Sequence, residues 1–323
     1  MQTSHKKTSL LFTFTFTAVF SFLCLLSGQG TAQAQAAFPS PGVSDQQAGW
    51  MLVYPFYTSR SSNAREDTFI TITNASNTVT AAVHVYFLEG ASCAQADMFI
   101  CLTPNASQSF KASEIDPENT GYIIAYVVAQ TGPNAGCPDT TATILIGNAF
   151  VNIPTDNIQG AYGAEAFGSA GASCVNNGNT ATLTFNAPNR FAVEVQSPQT
   201  IPNQRVILAG LSGDLNGTVT GAGQVGAGQV INGNETPAGS FSAWIPQGCL
   251  STAILTNNTP RAPGGINRLI PSGQVGTIKF SVTAAVGLLL VPNNSTGRAG
   301  IRTLHKLGTR GTTLEVGVFP AVC

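Results

Sequence analysis

Apolar and polar residues alternate with a period of two along much of the chain. Ile70 and Ile72 alternate with Thr71 and Thr73, Val83, Val85 and Phe87 with His84 and Tyr86, and Leu183 and Phe185 with threonines. Val193 and Val195 continue the theme. Each run predicts a strand with one buried face. Residues 122–128 and 143–146 are apolar without interruption, which predicts central strands covered on both faces. Turn residues punctuate at short intervals, as at Glu89-Gly90, Pro104-Asn105 and Gly132-Pro133-Asn134. Further strands are predicted over 241–245, 250–255, 277–282, 286–291, 301–304 and 314–319. Helical periodicity is nearly missing. Residues 107–115 read either as a helix, weakened by Ser107, Ser109 and Ser113, or as an edge strand. The predicted class is all-β, built of sandwich-like layers.

Within this pattern Ser197-Pro198 and Ile201-Pro202 interrupt the alternation, and a domain boundary is placed there. The predicted organisation is a signal peptide over 1–36, a β-sandwich domain over 37–197 and a β-sandwich-like domain over 198–323. Either domain is long enough for its own core. Residues 37–49 show no clear period ahead of the first strand and are expected to form an extended, mobile arm. The string GAGQV occurs twice in succession, at 221–225 and 226–230; two copies do not make a solenoid and read as a glycine-rich loop or hairpin.

The first 36 residues have the form of an export signal. Lys6 and Lys7 precede an apolar run over 10–26, and Ala32-Gln33-Ala34 and Ala34-Gln35-Ala36 offer small residues for cleavage. Cys24 does not make a lipobox, because Leu23 stands where a small residue is wanted. The longest later apolar stretch, 282–292, is too short to span a bilayer and carries Gly287. A transmembrane β-barrel is the rival architecture, but six cysteines and continuously apolar strands argue against it. The mature chain is expected to be secreted, in the periplasm, at the cell surface or outside the cell, with no integral membrane segment after cleavage.

Charge narrows the partners. Past residue 36 the 12 Lys and Arg fall short of the 15 Asp and Glu by three, which leaves no electrostatic footprint for nucleic acid. Charged residues make up only 9% of the chain, so Thr, Asn, Ser, Gln and Gly must cover its surface, while 43% hydrophobic content supports a real core. Six cysteines follow the signal: Cys93, Cys101, Cys137, Cys174, Cys249 and Cys323. An even number in an exported chain predicts disulfides, and no C-x-x-C spacing with nearby histidines suggests a metal. Cys93 and Cys101 bracket a short loop and are the favoured first pair; Cys137 with Cys174 and Cys249 with Cys323 follow by elimination.

Short motifs carry a resemblance. Leu52-Val53-Tyr54-Pro55-Phe56-Tyr57, DTFITITN at 67–74, VHVYFLEG at 83–90 and FICLTP at 99–104 resemble the opening of an uncharacterised family of secreted bacterial all-β proteins. Ser212-Gly213-Asp214-Leu215, Ile270-Pro271-Ser272-Gly273 and Gly287-Leu288-Leu289 resemble its later portion. The resemblance implies a bacterial envelope or extracellular setting and brings no catalytic residue with it.

Chemistry is sparse. His84 and His305 have no Asp, Glu, Cys or second His at ligand spacing and read as ordinary histidines. No G-x-S-x-G elbow occurs, and Ser212-Gly213-Asp214 suits a tight turn. Asp116-Pro117-Glu118-Asn119 gathers oxygen donors but lacks the order of a calcium loop. No lysine accompanies the glycines of 221–228, so a phosphate loop is excluded. Glu194 reads as solvent-facing, whereas Glu165, among small residues, could sit in a concave site. Trp50, Tyr54, Phe56 and Tyr57 are expected in the core rather than on a sugar platform, with Pro55 marking an edge or a bulge. No catalytic, cofactor-binding or metal-binding residue is assigned, and no cofactor is expected. The expectation for function is a non-enzymatic structural or interaction protein of the bacterial envelope or extracellular space, whose partners are itself or other envelope proteins. The alternative is a secreted polysaccharide-active hydrolase, or a module that binds carbohydrate or another small ligand.

Overall fold

A computed structural model describes residues 42–62, 65–215, 225–245, 248–292, 300–320 and 323. The chain is all-β, 59% strand and 4% helical, in several antiparallel sheets. A six-stranded sheet is ordered β1 (Val43–Ser44), β10 (Glu165–Phe167), β2 (Met51–Thr58), β7 (Thr120–Val127), β4 (Ala81–Glu89), β5 (Gln95–Leu102). A four-stranded sheet is ordered β6 (Ser107–Lys111), β3 (Asp67–Asn74), β8 (Leu145–Ile153), β9 (Ile158–Gly163). A second four-stranded sheet holds β17 (Leu250–Ile254), β13 (Arg205–Gly210), β19 (Ala285–Val291) and β20 (Gly300–Thr303). The remaining sheet runs β14 (Gly213–Asp214), β21 (His305–Gly317), β12 (Thr180–Gln196), β18 (Val275–Ser281), β15 (Val225–Ile231), β16 (Pro237–Ile245), with β11 (Ser173–Asn176) also paired to β12.

The six-stranded sheet lies in the middle because both of its faces are apolar. Leu52 and Tyr54 of β2, Val83, Val85 and Phe87 of β4 and Ile123 of β7 pack with Ile70, Ile72, Ala149 and Val151 of the β6–β3–β8–β9 sheet. Met51, Val53, Tyr86, Tyr122, Ile124 and Tyr126 point the other way, onto Leu183, Phe185, Leu314 and Val316. β2, β4 and β7 are consequently buried along almost their whole length. The uninterrupted apolar run of 122–128 foretold this for β7. For β4 the alternation is real, but His84 and Tyr86 on the second face are covered too.

A third cluster holds the far end of the largest sheet to the β17–β13–β19–β20 sheet through Phe191, Val193, Val206, Leu208, Trp244, Phe280 and Leu289. Residues Gly42–Cys323 form one compact unit. The boundary expected at 197/198 falls just past the end of β12, and side chains from both sides of it share cores. Ile207, Leu288, Leu290 and Ile301 pack with Leu52 and Tyr54, and Ala209, Leu211 and Val286 pack with Val53 and Tyr86.

Local chemistry explains several details. Pro55 cannot donate to a ladder, and the β2–β7 register shifts between Tyr54 and Tyr57, so the strand stays inside its sheet by bulging. Trp50, Tyr54, Phe56 and Tyr57 are all in the core, as is Trp244. Residues 107–115 divide into the edge strand β6 and a single helical turn, Ala112–Ile115. Ser212-Gly213-Asp214, expected as a tight turn, instead enters the two-residue strand β14, which pairs with Leu314 and Glu315, and Gly213 takes φ 110°, a shape that favours glycine. The second GAGQV copy lies in β15; the first falls mostly outside the described residues.

Two expectations are corrected. Residues 42–49 are docked rather than mobile: Val43 and Ser44 pair with Phe167 and Ala166, and Gly49 exchanges 2.9 Å backbone hydrogen bonds with Leu145. The rest of that arm, 37–41, and the 1–36 leader lie outside the described residues. The second correction concerns the disulfides, which join Cys93 to Cys249 and Cys101 to Cys323. Cys93 sits in the β4–β5 turn and Cys101 near the far end of β5. An extended strand at roughly 3.3 Å per residue carries the two apart, whereas the bonded pairs have Cα separations of 5.8 and 5.6 Å. Cys249 and Cys323 are taken by these partners, and Cys137 and Cys174 remain thiols. Among the described residues no helix is long and apolar enough to cross a membrane.

Candidate functional site

Ionisable groups converge at three places. The first is a groove of about 380 Å³ lined by Asp45, Tyr162, Gly163, Arg302, Thr303 and His305. It forms where β9 meets β20 and the start of β21, beside the residue that follows β1. Thr303 donates to Asp45 Oδ2 at 3.2 Å. Glu165, on the neighbouring β10, is 1% exposed and accepts a hydrogen bond from Lys306 Nζ. Burial raises the Glu165 carboxyl above its ordinary range, Lys306 opposes that, and Asp45 adds to it. The structure thus brings the sequence candidates Glu165 and His305 to one region, but Glu165 is clamped beneath the surface and not presented in the groove. Glu194 lies on the solvent face as expected, with Arg302 Nη1 3.6 Å from its carboxylate.

The second is a groove of about 390 Å³ lined by Arg60, Glu89, Gly90, Ala91, Glu118, Asn119, Thr120 and Leu250. Sequence reading missed it because its residues come from turns distant in the chain. Ser92 holds the Glu89 carboxyl below its ordinary range, and Ser62 does the same for Glu118, each with a backbone N–H 2.8 or 2.9 Å away. Both carboxyls are therefore ionised at neutral pH. Glycoside hydrolysis needs one carboxyl kept protonated as a general acid, which this pair does not supply.

Beside that groove a network spends its polar atoms on the fold. Glu66, 1% exposed, accepts from Arg60 Nε at 2.9 Å, Arg60 Nη2 at 2.7 Å, Thr58 Oγ1 at 2.9 Å and Thr155 Oγ1 at 2.9 Å. Asp116 accepts from the Tyr57 hydroxyl and from Asn119 Nδ2. Both Asp116 carboxylate oxygens and Glu118 Oε1 are thus engaged with protein donors. Among the described residues no group of three or more His, Cys, Asp or Glu is placed to hold a metal ion.

The third place is His84, which sequence reading treated as ordinary. Its ring is fully buried between Tyr86 and Phe99, with Asp97 on one nitrogen and Tyr126 on the other side. Period-two alternation identified its face correctly. What it could not show is that a second sheet covers that face.

On the outside, the β6–β3–β8–β9 sheet leaves one face open. Phe69 and Phe150 are register partners and are 46% and 43% exposed; Ile146, opposite Thr73, is 41% exposed. Hydroxyl rungs run beside them, Thr71 with Ser109 at 2.9 Å and Thr73 with Ser107 at 2.7 Å. No protein-family model matches the chain, and no curated protein matches it either.

Proposed function

We propose that the chain is a non-enzymatic structural or interaction protein of the bacterial envelope or extracellular space. The two disulfides fit a non-reducing, extracytoplasmic compartment. The observation that carries the reading is the open sheet face, where the register partners Phe69 and Phe150 stay exposed together with Ile146. Large apolar groups gathered on one face mark contact surfaces more often than stray exposed residues do. The buried ionisable groups support the same reading, since Glu66, Asp116, Glu165 and His84 all hold structural partners.

Contact of this face with a second copy of the chain is the form of the reading that can be tested directly. In light scattering of the full chain, self-association should rise with concentration and be lost in Phe69→Ser/Phe150→Ser, with the melting temperature little changed. A species that stays monomeric at every concentration sinks this assignment.

One observation favours hydrolysis as a second reading. Burial raises the Glu165 carboxyl, as a general acid needs, and Asp45 is near enough to add to that rise. Turnover of a polysaccharide by the wild type that Glu165→Gln abolishes would replace the first reading with this one.

A further inference from the structure

Among the described residues Cys137 and Cys174 are the cysteines outside the two disulfides. They come from separate segments that meet at one end of β21. Cys137 sits in a tight turn, its N–H donating to Asn134 O at 2.9 Å and its carbonyl accepting from Ala129 at 2.8 Å. Cys174 lies on β11 opposite Leu183. Gly136 packs against Val318 so closely that a Cβ would fall 2.7 Å from Val318 Cγ1. Val318 in turn donates to Asn179 O at 3.0 Å, in the turn that joins β11 to β12. With both segments fixed to Val318, the two cysteines meet in the core cluster that holds Tyr126, near enough to perturb one another.

Their exposure differs. Cys137 is 0% exposed, whereas Cys174 is half-buried and packs at the margin of the same core. An external disulfide can therefore reach one sulphur and not the other.

We propose that Cys137 and Cys174 form a thiol–disulfide exchange site that closes to a third disulfide, with Cys174 the entry sulphur and Cys137 the resolving one. The Cys174 thiolate attacks a small external disulfide R–S–S–R, forming a Cys174–S–S–R mixed disulfide and releasing one thiolate, RS⁻. The Cys137 thiolate then attacks Cys174 Sγ, the mixed disulfide breaks, and a second RS⁻ leaves. Two protein thiols are oxidised, one external disulfide is reduced to two thiols, and the protons lost by the cysteines are taken up by the leaving thiolates.

Burial, helped by Cys137, pushes the Cys174 thiol well up from its ordinary value, so closure is slow and needs base. The product ties the loop after β7 to the β11–β12 pair.

The test uses the full chain and glutathione disulfide as the probe, followed by alkylation in denaturant without reduction and peptide mass spectrometry. Wild type should yield a Cys137–Cys174 cross-linked peptide, at a rate that rises about tenfold per pH unit. Cys137→Ser should trap glutathione on Cys174. Cys174→Ser should label Cys137 at least about tenfold more slowly, because that sulphur is covered. Wild type whose two cysteines both remain alkylatable after the incubation overturns the proposal, and so does equal labelling of the two variants. Should a variant fail to fold, acid-trapped wild type decides the order of attack: the transient glutathione adduct maps to Cys174, or the assignment is wrong.

Discussion

His84 Nε2 lies 2.8 Å from Asp97 Oδ2, so a ring with no exposure to solvent is tied to a carboxylate that is 45% exposed. Around the ring stand Phe99 at 3.9 Å, Tyr86 at 4.0 Å, Phe319 at 5.1 Å and Tyr126 at 5.7 Å between centroids. Tyr126 Oη is 3.4 Å from Nδ1, and Cys101, bonded to Cys323, anchors the tail that brings Phe319 here. Burial lowers the His84 pKa, and Asp97 only partly opposes it. The folded state thus favours the neutral ring.

This gives the first prediction. The stability due to neutral His84 is present above the unfolded value near 6.5 and is lost as pH falls through the lower folded value. Urea midpoints between pH 7 and pH 5 should fall in the wild type and fall less in His84→Gln. That variant should also cost about 2 kcal/mol at pH 7 through lost ring contacts, more than the ordinary histidine read from the sequence would. His305→Gln, at an exposed position, should stay within about 0.5 kcal/mol.

The second prediction concerns the cross-links. Cys93–Cys249 and Cys101–Cys323 close segments with sequence separations of 156 and 222. Closing such long loops restricts the unfolded chain strongly, so opening either by a Cys→Ser pair should cost about 2 to 4 kcal/mol. Denaturant titration of Cys93→Ser/Cys249→Ser is the measurement, and no loss of stability would contradict the pairing.

How far the sequence carried the fold depends on the range of each signal. Alternation and turn residues are local, and they located β3, β4, β7 and β16 to β20 to within a few residues, but only the end of β21, which begins at His305 rather than 314. In β5 the apolar set Ala96, Met98, Ile100 and Leu102 is blurred by Phe99 and Cys101 on the opposite face, and β9 to β11 are short and rich in Gly, Ala and Ser. Disulfide partners are set by which strand ends meet in three dimensions, so proximity in sequence misled for Cys93 and Cys101. The same limit hid the partners of His84 and Glu165. Asp97 is 13 residues from His84, on the neighbouring strand, and Lys306 is 141 residues from Glu165. Spacing motifs reach neither.

A third prediction tests the close packing of the central sheet. A Cβ at Gly121 would fall 1.8 Å from Leu88 O and 3.0 Å from the Tyr57 ring. Because the nearest atom is backbone in a paired strand, no side-chain rotation can relieve it. Gly121→Ala should destabilise by about 2 kcal/mol or more, whereas Gly300→Ala, with nothing within 4 Å, should be close to neutral. Thermal unfolding of the two variants side by side makes the comparison.

The last prediction separates burial from charge at Glu165 and Lys306. Glu165 is 1% exposed and Lys306 21% exposed, so losing one partner is not equivalent to losing the other. Lys306→Met leaves a buried carboxylate without its cation, which should cost about 3 kcal/mol at pH 7. Glu165→Gln leaves a lysine that can turn toward water, and should cost less. Adding the second substitution to Lys306→Met should recover part of the loss, giving a coupling of about 1 kcal/mol or more in the double-mutant cycle. The pH dependence runs opposite to that of His84. A carboxyl whose folded pKa is raised contributes stability that is fully present below its unfolded value and is lost as pH rises through the folded value. Lys306→Met removes the group that opposes burial, so its stability should fall more steeply than that of wild type above pH 4.5. Glu165→Gln should abolish this slope, because the amide carries no proton to lose. Equal slopes in all three proteins would show that burial of Glu165 does not govern its proton.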